Sequence, residues 1–362
     1  MKRLHYFDML KGLAIFLVVM GHVITFCVRE IDRLAVFKFI ENIHMPLFFF
    51  ISGWFTYKIA ANKVSVPKLG PRALQLLVPM VVVSSLWIWY FPHSGLQSPL
   101  DSTFHGLWSS IWKNGYWFTP VLFMITVIYA AIVLILRLVK SIFGWITVSL
   151  ATWAVLVVIL YLPTFAIIDI RQLLDYFSFE LLVIFFPSFM SGVIASRWRD
   201  AFLRLTSSGT VVTVCMLAGS VLLYMLSWPW EFSIFGHGDI FLILAKSLFH
   251  VMLAIVAIAV VKPWSDMAFS ENAGLFTASV ARIWEMLGRK SLAIYMLHYF
   301  FLFPLGVCRH SLESVGLGFV PMVFFAAAAS VAIITVVLAV DYIIGKSPLL
   351  ALLLTGQRIK RN

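Results

Sequence analysis

A stretch near the N-terminus reads GLAIFLVVMGHVITFCV and runs from Gly12 to Val28 without a formal charge. A helix of this length, which rises 1.5 Å per residue, is long enough to enter the hydrocarbon core of a bilayer. His22 lies deep within the stretch, and an ionisable side chain in hydrocarbon is costly unless it faces a polar cavity. The stretch therefore predicts a membrane-spanning helix, and His22 is the first candidate for a functional residue.

Two charged residues lie before this stretch, close to the helical face that carries His22. Lys11 and His22 are separated by a rotation of ~20° and a rise of ~16 Å at the helical repeat. Asp8 falls within ~40° of the same line. These positions predict a polar track along the first helix, with a cation at the membrane edge and an imidazole most of the way across.

Composition extends the membrane assignment to the whole chain. Of its 362 residues, 62% are hydrophobic and 12% are charged, and the mean hydropathy is +0.99. Soluble domains carry roughly twice that share of charged residues. Because nearly charge-free stretches recur from end to end, we expect an all-α, polytopic membrane protein. One membrane domain is predicted at residues 1–345, followed by a basic cytoplasmic tail at residues 346–362.

Apolar windows between charged or turn-forming residues predict ten transmembrane helices. They lie at residues 9–28, 43–61, 74–91, 116–136, 143–162, 179–196, 210–228, 239–261, 290–308 and 319–342. Lys2 and Arg3 precede the first span as they would in a signal peptide, but no small-residue cleavage site follows it. We therefore expect the first span to be retained.

The positive charges predict the orientation. Cytoplasmic loops are enriched in Lys and Arg, and most of the 27 such residues fall on the side of the two termini. Both termini are therefore expected in the cytoplasm, with the protein in the inner membrane. Anionic lipid headgroups account for the net charge of +11, which argues against nucleic acid as a partner.

Neither a disulfide framework nor a metal site is indicated. The three cysteines have no paired spacing, and the nine histidines show no metal-ligand spacing. The predicted outer ends of the spans are instead rich in aromatic residues, which favours an interfacial belt or a surface on which sugars stack. The tryptophans among them are Trp87, Trp89, Trp108, Trp112, Trp117, Trp228 and Trp230.

Four sequence blocks occur in order between residues 7 and 298. The first reads FDMLKGLAI from Phe7 and ends in VVMGH at His22. The others are IHMPLFFFISGW at residues 43–54, YWF at residues 116–118 and GRKSLAIYMLH at residues 288–298. Together they resemble the membrane acyltransferase-3 superfamily, and the second block is most similar to fucose 4-O-acetylase-like members.

This resemblance implies an integral membrane enzyme that moves an acyl group, commonly acetyl from acetyl-CoA, onto a carbohydrate hydroxyl. Two positions depart from the family pattern. Lys11 stands where many members have arginine, and Gln75 stands where a second arginine usually follows Arg72. Both substitutions keep a hydrogen-bond donor, but neither side chain has the planar fork with which arginine grips a phosphate.

Transfer of an acyl group to a hydroxyl requires a base, and imidazole is suited to that task near neutral pH. We therefore predict His22 as the catalytic base, or as the residue that first accepts the acyl group. The alternative is a histidine that only hydrogen-bonds a neighbouring helix. His44 is predicted as a second catalytic or acceptor-binding residue, with an interfacial, water-bound histidine as the alternative.

A cytoplasmic acyl-CoA donor requires cations at the inner ends of spans. Four residues are predicted to hold the CoA phosphates, namely Lys11, Arg72, Arg289 and Lys290. The pantetheine arm would then extend through the bundle toward His22. Each cation taken singly is also explained as a loop charge that sets orientation, although Lys11 shares the face of His22. Asp341 is expected to pair with a cation on the cytoplasmic side.

Further residues are predicted to line the same cavity, and they are Asn42, Trp117, Lys246, His250 and His298. Lys246 and His250 are four residues apart on one helical face. Asn42 is a candidate donor to an oxyanion, whereas His298 is equally explained by a hydrogen bond between helices. Ser52 and Gly53 are interpreted as small residues that permit close helix approach.

The sequence thus predicts a membrane O-acyltransferase that uses acetyl-CoA, or another short acyl-CoA, and modifies a carbohydrate or glycolipid. A carrier or exporter of a glycan or small anion along the same polar track is the alternative. A membrane sensor that binds CoA without turnover is a third possibility.

Overall fold

A computed structural model describes residues 4–27, 35–60, 63–93, 116–161, 170–227, 240–302 and 319–357. The first helices are α1 (His5–Cys27), α2 (Ala35–Thr56), α3 (Leu69–His93), α4 (Phe118–Leu136), α5 (Ile142–Tyr161), α6 (Arg171–Tyr176) and α7 (Phe179–Arg197). They are followed by α8 (Arg199–Ser207), α9 (Gly209–Ser227), α10 (Ile240–Ala268), α11 (Leu275–Arg289), α12 (Ser291–Leu297), α13 (Tyr299–Leu302), α14 (Phe319–Ile344) and α15 (Pro348–Thr355).

The predicted fold class, an all-α polytopic membrane protein, is confirmed. Within the described ranges, eight helices are long and apolar enough to cross a bilayer, namely α1, α3, α4, α5, α7, α9, α10 and α14. The strands β1 (Ile59–Ala60) and β2 (Lys63–Val64) form a minimal antiparallel hairpin after α2. The count of ten spans and the cytoplasmic placement of both termini stay predictions.

Two predicted spans differ most from the helices that form. The second was predicted at residues 43–61, but α2 runs from Ala35 to Thr56 and contains Pro46. Polar residues at its start are compatible with a helix because they face a cavity. The ninth was predicted at residues 290–308, but α11, α12 and α13 are separate short helices through Leu302, and residues 303–308 lie outside the described ranges.

Helix α1 lies at the centre of the bundle. It packs most extensively against α11 and also contacts α2, α10 and α14. Its side chains at Phe7, Met9, Ile15, Val19 and Val23 are fully buried. Because α1 is surrounded by protein rather than lipid, polar residues on it can face internal cavities.

Glycines permit the backbones to approach closely at two helix interfaces. A Cβ atom on Gly288 of α11 would lie 1.7 Å from the Asp8 carbonyl oxygen, and one on Gly12 would lie 2.0 Å from the Trp284 carbonyl oxygen. The same holds between α2 and α7, where a Cβ on Gly53 would lie 1.9 Å from the Phe189 oxygen. Small residues at such interfaces are typical of membrane helices. The prediction that Gly53 permits close helix approach is confirmed.

The segment after residue 345, predicted as a separate basic tail, includes a helix that packs on the bundle. Helix α15 contacts α3 and α12. It ends at Gly356, whose φ of 66° is left-handed, and a Cβ there would lie 2.3 Å from the Gln75 carbonyl oxygen. The C-terminal end of α15 therefore lies directly against the first turns of α3.

Candidate active site

The outer cavity is a space of about 310 Å³ between α1, α2, α4, α7, α9 and α10. It brings together six of the predicted site residues, which are His22, Asn42, His44, Trp117, Lys246 and His250. These residues come from α1, α2, α10 and the N-cap of α4, and they are separated by up to 228 positions in the chain (250 − 22). Their convergence depends on the bundle and is not a property of any single segment.

Helix α1 presents His22 to the outer cavity on one side and to a tyrosine on the other. Tyr299 Oη lies 3.0 Å from His22 Nε2 and 3.3 Å from Nδ1. The ring of His298 is 5.3 Å from that of His22, centroid to centroid, and 4.4 Å from that of Tyr299. The imidazole is therefore held between a polar cavity and a cluster of buried rings.

The backbone fixes the tautomers of two other histidines, His44 and His298. His298 Nδ1 lies 3.0 Å from the Ile294 oxygen and 2.8 Å from the Tyr295 oxygen. Since a carbonyl accepts only, Nδ1 must carry the proton and Nε2 keeps a lone pair. His44 Nδ1 donates to the Ile40 carbonyl in the same way. Both rings thus retain an unprotonated Nε2 in their neutral form.

The inner cavity is a smaller space of about 140 Å³ that lies toward the other end of α1. It is lined by Lys11 of α1, Ser52 of α2, Arg72 and Gln75 of α3, and Ser291 of α12. Lys11 Nζ also pairs with Asp8 at 2.6 Å. The cavity therefore combines two cations with uncharged hydrogen-bonding groups, which is the chemistry of an anion site. Gln75, noted as a departure from the family pattern, lines this space.

The two cavities meet at one side chain. Met45 of α2 lines both of them and is itself 4% exposed. On α1, Ile15 lines the inner cavity and Val18 the outer one. At the start of α4, Phe118 lines the inner cavity and the N-cap residue Trp117 lines the outer one. A thin apolar layer thus separates the cationic space from the histidine-lined space.

Two of the four predicted CoA-binding cations do not line the inner cavity. Arg289 is exposed at the end of α11. Lys290 Nζ lies 2.6 Å from Asp341 Oδ2, and Gln357 Nε2 donates to Oδ1 of the same carboxylate at 2.9 Å. The prediction that Asp341 pairs with a cation is confirmed, and the cytoplasmic side of the pair stays a prediction. The buried carboxylate of Asp341 on α14 thus links Lys290, which lies between α11 and α12, to Gln357 after α15.

A tyrosine cluster beside His22 was not predicted from the sequence. Tyr116 Oη donates to the Met296 carbonyl at 3.1 Å, and Tyr295 Oη accepts from the Phe118 amide at 3.2 Å. Tyr295 and Tyr299 are four residues apart and flank His298. That spacing on one face, beside a candidate histidine, was the available signal for Tyr299. His298 itself is fully buried and lies behind His22 rather than in the outer cavity.

Aromatic rings form one wall of the outer cavity. Phe185 of α7 stacks on Trp117 at 5.5 Å, on His250 at 5.5 Å and on Phe49 at 4.7 Å. Of the seven tryptophans predicted at outer ends of spans, Trp117 is the one whose side chain is described. The side chains of Trp87 and Trp89 are not described, and Trp108, Trp112, Trp228 and Trp230 lie outside the described ranges, so their roles stay predictions.

These features define a multi-pass membrane protein with a histidine-lined cavity next to a cationic one. The chain belongs to the acyltransferase-3 family, because the family described as "Acyltransferase domain" matches residues 4–340. The resemblance carried by the four blocks is thereby confirmed, and the acyltransferase domain occupies nearly the whole chain.

Two curated relatives were found by sequence. Nodulation protein NolL of Sinorhizobium fredii is 31% identical over 134 residues, which are 34% of this chain and 36% of that protein. Nodulation protein NolL of Mesorhizobium japonicum is 38% identical over 87 residues, which are 23% of each chain. The aligned parts thus span little more than a third of these relatives at most. No solved structure matches this chain.

Proposed function

We propose that the protein transfers an acetyl or other short acyl group from cytoplasmic acyl-CoA to a hydroxyl of a carbohydrate or glycolipid. The observation that carries this proposal is the arrangement of the two cavities along α1. The inner cavity offers cations for the CoA phosphates, and the outer cavity offers an imidazole for the reacting hydroxyl. Localisation in an inner membrane is part of the proposal.

The dimensions of α1 support a donor that extends from one cavity to the other. Lys11 and His22 lie on one continuous helix, and eleven residues correspond to a rise of ~16 Å. This distance is of the order of an extended pantetheine arm. A thioester could therefore lie beyond the Met45 layer while the nucleotide end stays with Lys11 and Arg72.

The contacts of His22 support the following chemistry. In the tautomer whose Nε2–H donates to Tyr299 Oη, the lone pair is on Nδ1 and accepts the proton of the acceptor hydroxyl. The hydroxyl oxygen attacks the thioester carbonyl, the C–S bond breaks, and the CoA thiolate takes a proton from the imidazolium. Tyr299 is a positioning residue, because it acts through His22. Attack by His22 itself, with an acyl-imidazole intermediate, uses the same geometry.

The first test is transfer by the purified protein. We expect label to move from [acetyl-¹⁴C]acetyl-CoA to an envelope glycan fraction when the protein is reconstituted in liposomes. The glycan is then separated from the donor and counted. A carrier or exporter would move the glycan without labelling it, and a CoA-binding sensor would label nothing. Either of these results would overturn the proposal.

The donor site is tested by Arg72→Gln. Charge-assisted hydrogen bonds contribute about 1.5–3 kcal/mol, so losing the guanidinium is expected to raise the KM for acetyl-CoA by about 10-fold or more. The kcat is expected to change little, since Arg72 is remote from His22. Initial rates over a range of acetyl-CoA concentrations measure both quantities.

Arg282→Gln is the matched control, because Arg282 is an exposed arginine of α11 that does not line the inner cavity. Its KM for acetyl-CoA should equal that of the unmodified protein. The donor assignment fails if Arg72→Gln leaves the KM unchanged, or if it lowers kcat alone.

A further inference from the structure

The outer cavity contains a second pair of polar residues in addition to His22 and Tyr299. Lys246 and His250 lie one turn apart on α10, and both line the outer cavity. Neither is used by the acyl-transfer chemistry described above. Their position inside an apolar helix therefore requires a separate explanation.

Lys246 is an ammonium group within a predicted span. Among the described residues it forms no ion pair, although Glu41 lines the same cavity. A cation within a membrane helix is costly, and such residues usually pair or face a water-filled pathway. An ammonium group that lines a cavity inside the bundle is suited to binding an anion there.

His250 adds an independent observation. Its side chain is 97% buried, and within the described part of the chain its Nδ1 has no hydrogen-bond partner. The ring stacks on Phe185 with an interplanar angle of 5°, which fixes its orientation. A buried polar atom without a partner is unusual in a folded protein, and a group bound in the outer cavity would supply that partner.

We propose that Lys246 and His250 bind an oxyanion carried by the acceptor, either a carboxylate or a phosphate. The ammonium group supplies the charge, and the imidazole supplies a directed hydrogen bond beside it. The aromatic wall of Phe185 and Trp117 then contacts the apolar face of the sugar. This inference rests on the proposed function, because it identifies the outer cavity as the acceptor site and narrows the acceptor to an acidic glycan.

The test measures binding without any acyl donor. Purified protein in detergent is titrated with methyl β-D-glucuronide, glucose 1-phosphate or methyl β-D-glucoside, and affinity is followed by isothermal titration calorimetry. We expect one of the two anionic sugars to bind at least 10-fold more tightly than the neutral glucoside. The preferred anion identifies the oxyanion as a carboxylate or a phosphate. Equal affinities for all three sugars would overturn the proposal.

Variants show whether the preference arises at α10. Lys246→Met should abolish it, whereas Lys246→Arg should keep most of it because the charge is retained. Lys140→Met changes an exposed lysine and should leave the preference unchanged. Arg72→Gln should also preserve the preference for the anionic sugar. That result would exclude the inner cavity as the place where the sugar's anion binds. A preference that survives in Lys246→Met contradicts the assignment.

These outcomes are distinguishable from failure of the proposed function. A protein that prefers the anionic sugar but transfers no label would retain the oxyanion site and lose the enzymatic proposal. A protein that transfers label but binds the three sugars equally would support the enzymatic proposal and contradict the oxyanion site.

Discussion

His22→Ala is expected to lower the rate of acetyl transfer by about 10²–10⁴-fold, the range that general acid–base catalysis contributes. The alcohol must lose its proton as it attacks the thioester, and in the outer cavity His22 is the imidazole held by Tyr299. Single-turnover transfer of label from acetyl-CoA measures the chemical step directly. The affinity for acetyl-CoA should be nearly unchanged, because the nucleotide end is bound elsewhere.

Two comparisons separate catalysis from folding. His5→Gln alters a histidine of the same helix that stacks on Phe269 and lies 3.4 Å from Glu285, far from the cavity, and it should retain full activity. Added imidazole should restore part of the rate to His22→Ala, since the substitution leaves space beside the reacting hydroxyl. Full activity in His22→Ala would reject the base assignment, and a misfolded protein would show no rescue.

The path of α1 was predictable because its signals are local. A charge-free run, the histidine inside it and Lys11 at a helical spacing from that histidine all lie close together in the sequence. The same reasoning placed α4, α5, α7 and α9 within two residues at each end. It failed for α2, because Lys38 and Glu41 look like loop residues until the cavity that they line is known. Whether a polar residue fits within a membrane helix depends on the helices around it, and the sequence of one segment does not reveal them.

The candidate site was predictable only in part, because residue type marks unusual side chains but does not reveal how they pack. Residue type identified His22, His44, Lys246 and His250 as unusual in a membrane, and the bundle brings them to one cavity. Residue type could not distinguish a cation that lines a cavity from one paired with a carboxylate 51 positions away, as Lys290 is. Apolar residues carry no such signal at all, so the Met45 layer between the two cavities depended entirely on packing.

The packing of α1 against α11 leads to the second large effect. Gly288→Ala is expected to destabilise the protein by at least ~3 kcal/mol, the upper end of the usual range for overpacking. The added methyl would lie 1.7 Å from the Asp8 carbonyl oxygen and 3.0 Å from the Gly12 nitrogen. Both are backbone atoms, which cannot move aside as a flexible side chain can. Thermal unfolding in detergent, followed by intrinsic fluorescence, measures the loss.

Gly209→Ala is the matched control, because a Cβ atom there meets nothing within 4 Å. Alanine is also the better helix former, so the melting temperature should stay the same or rise. A protein that folds despite Gly288→Ala is expected to lose acetyl transfer, since separating α1 from α11 shifts Lys11 and His22 relative to α12 and α13. If Gly288→Ala and Gly209→Ala melt at the same temperature, α1 and α11 are not in backbone contact, and the placement of both cavities along α1 fails with it.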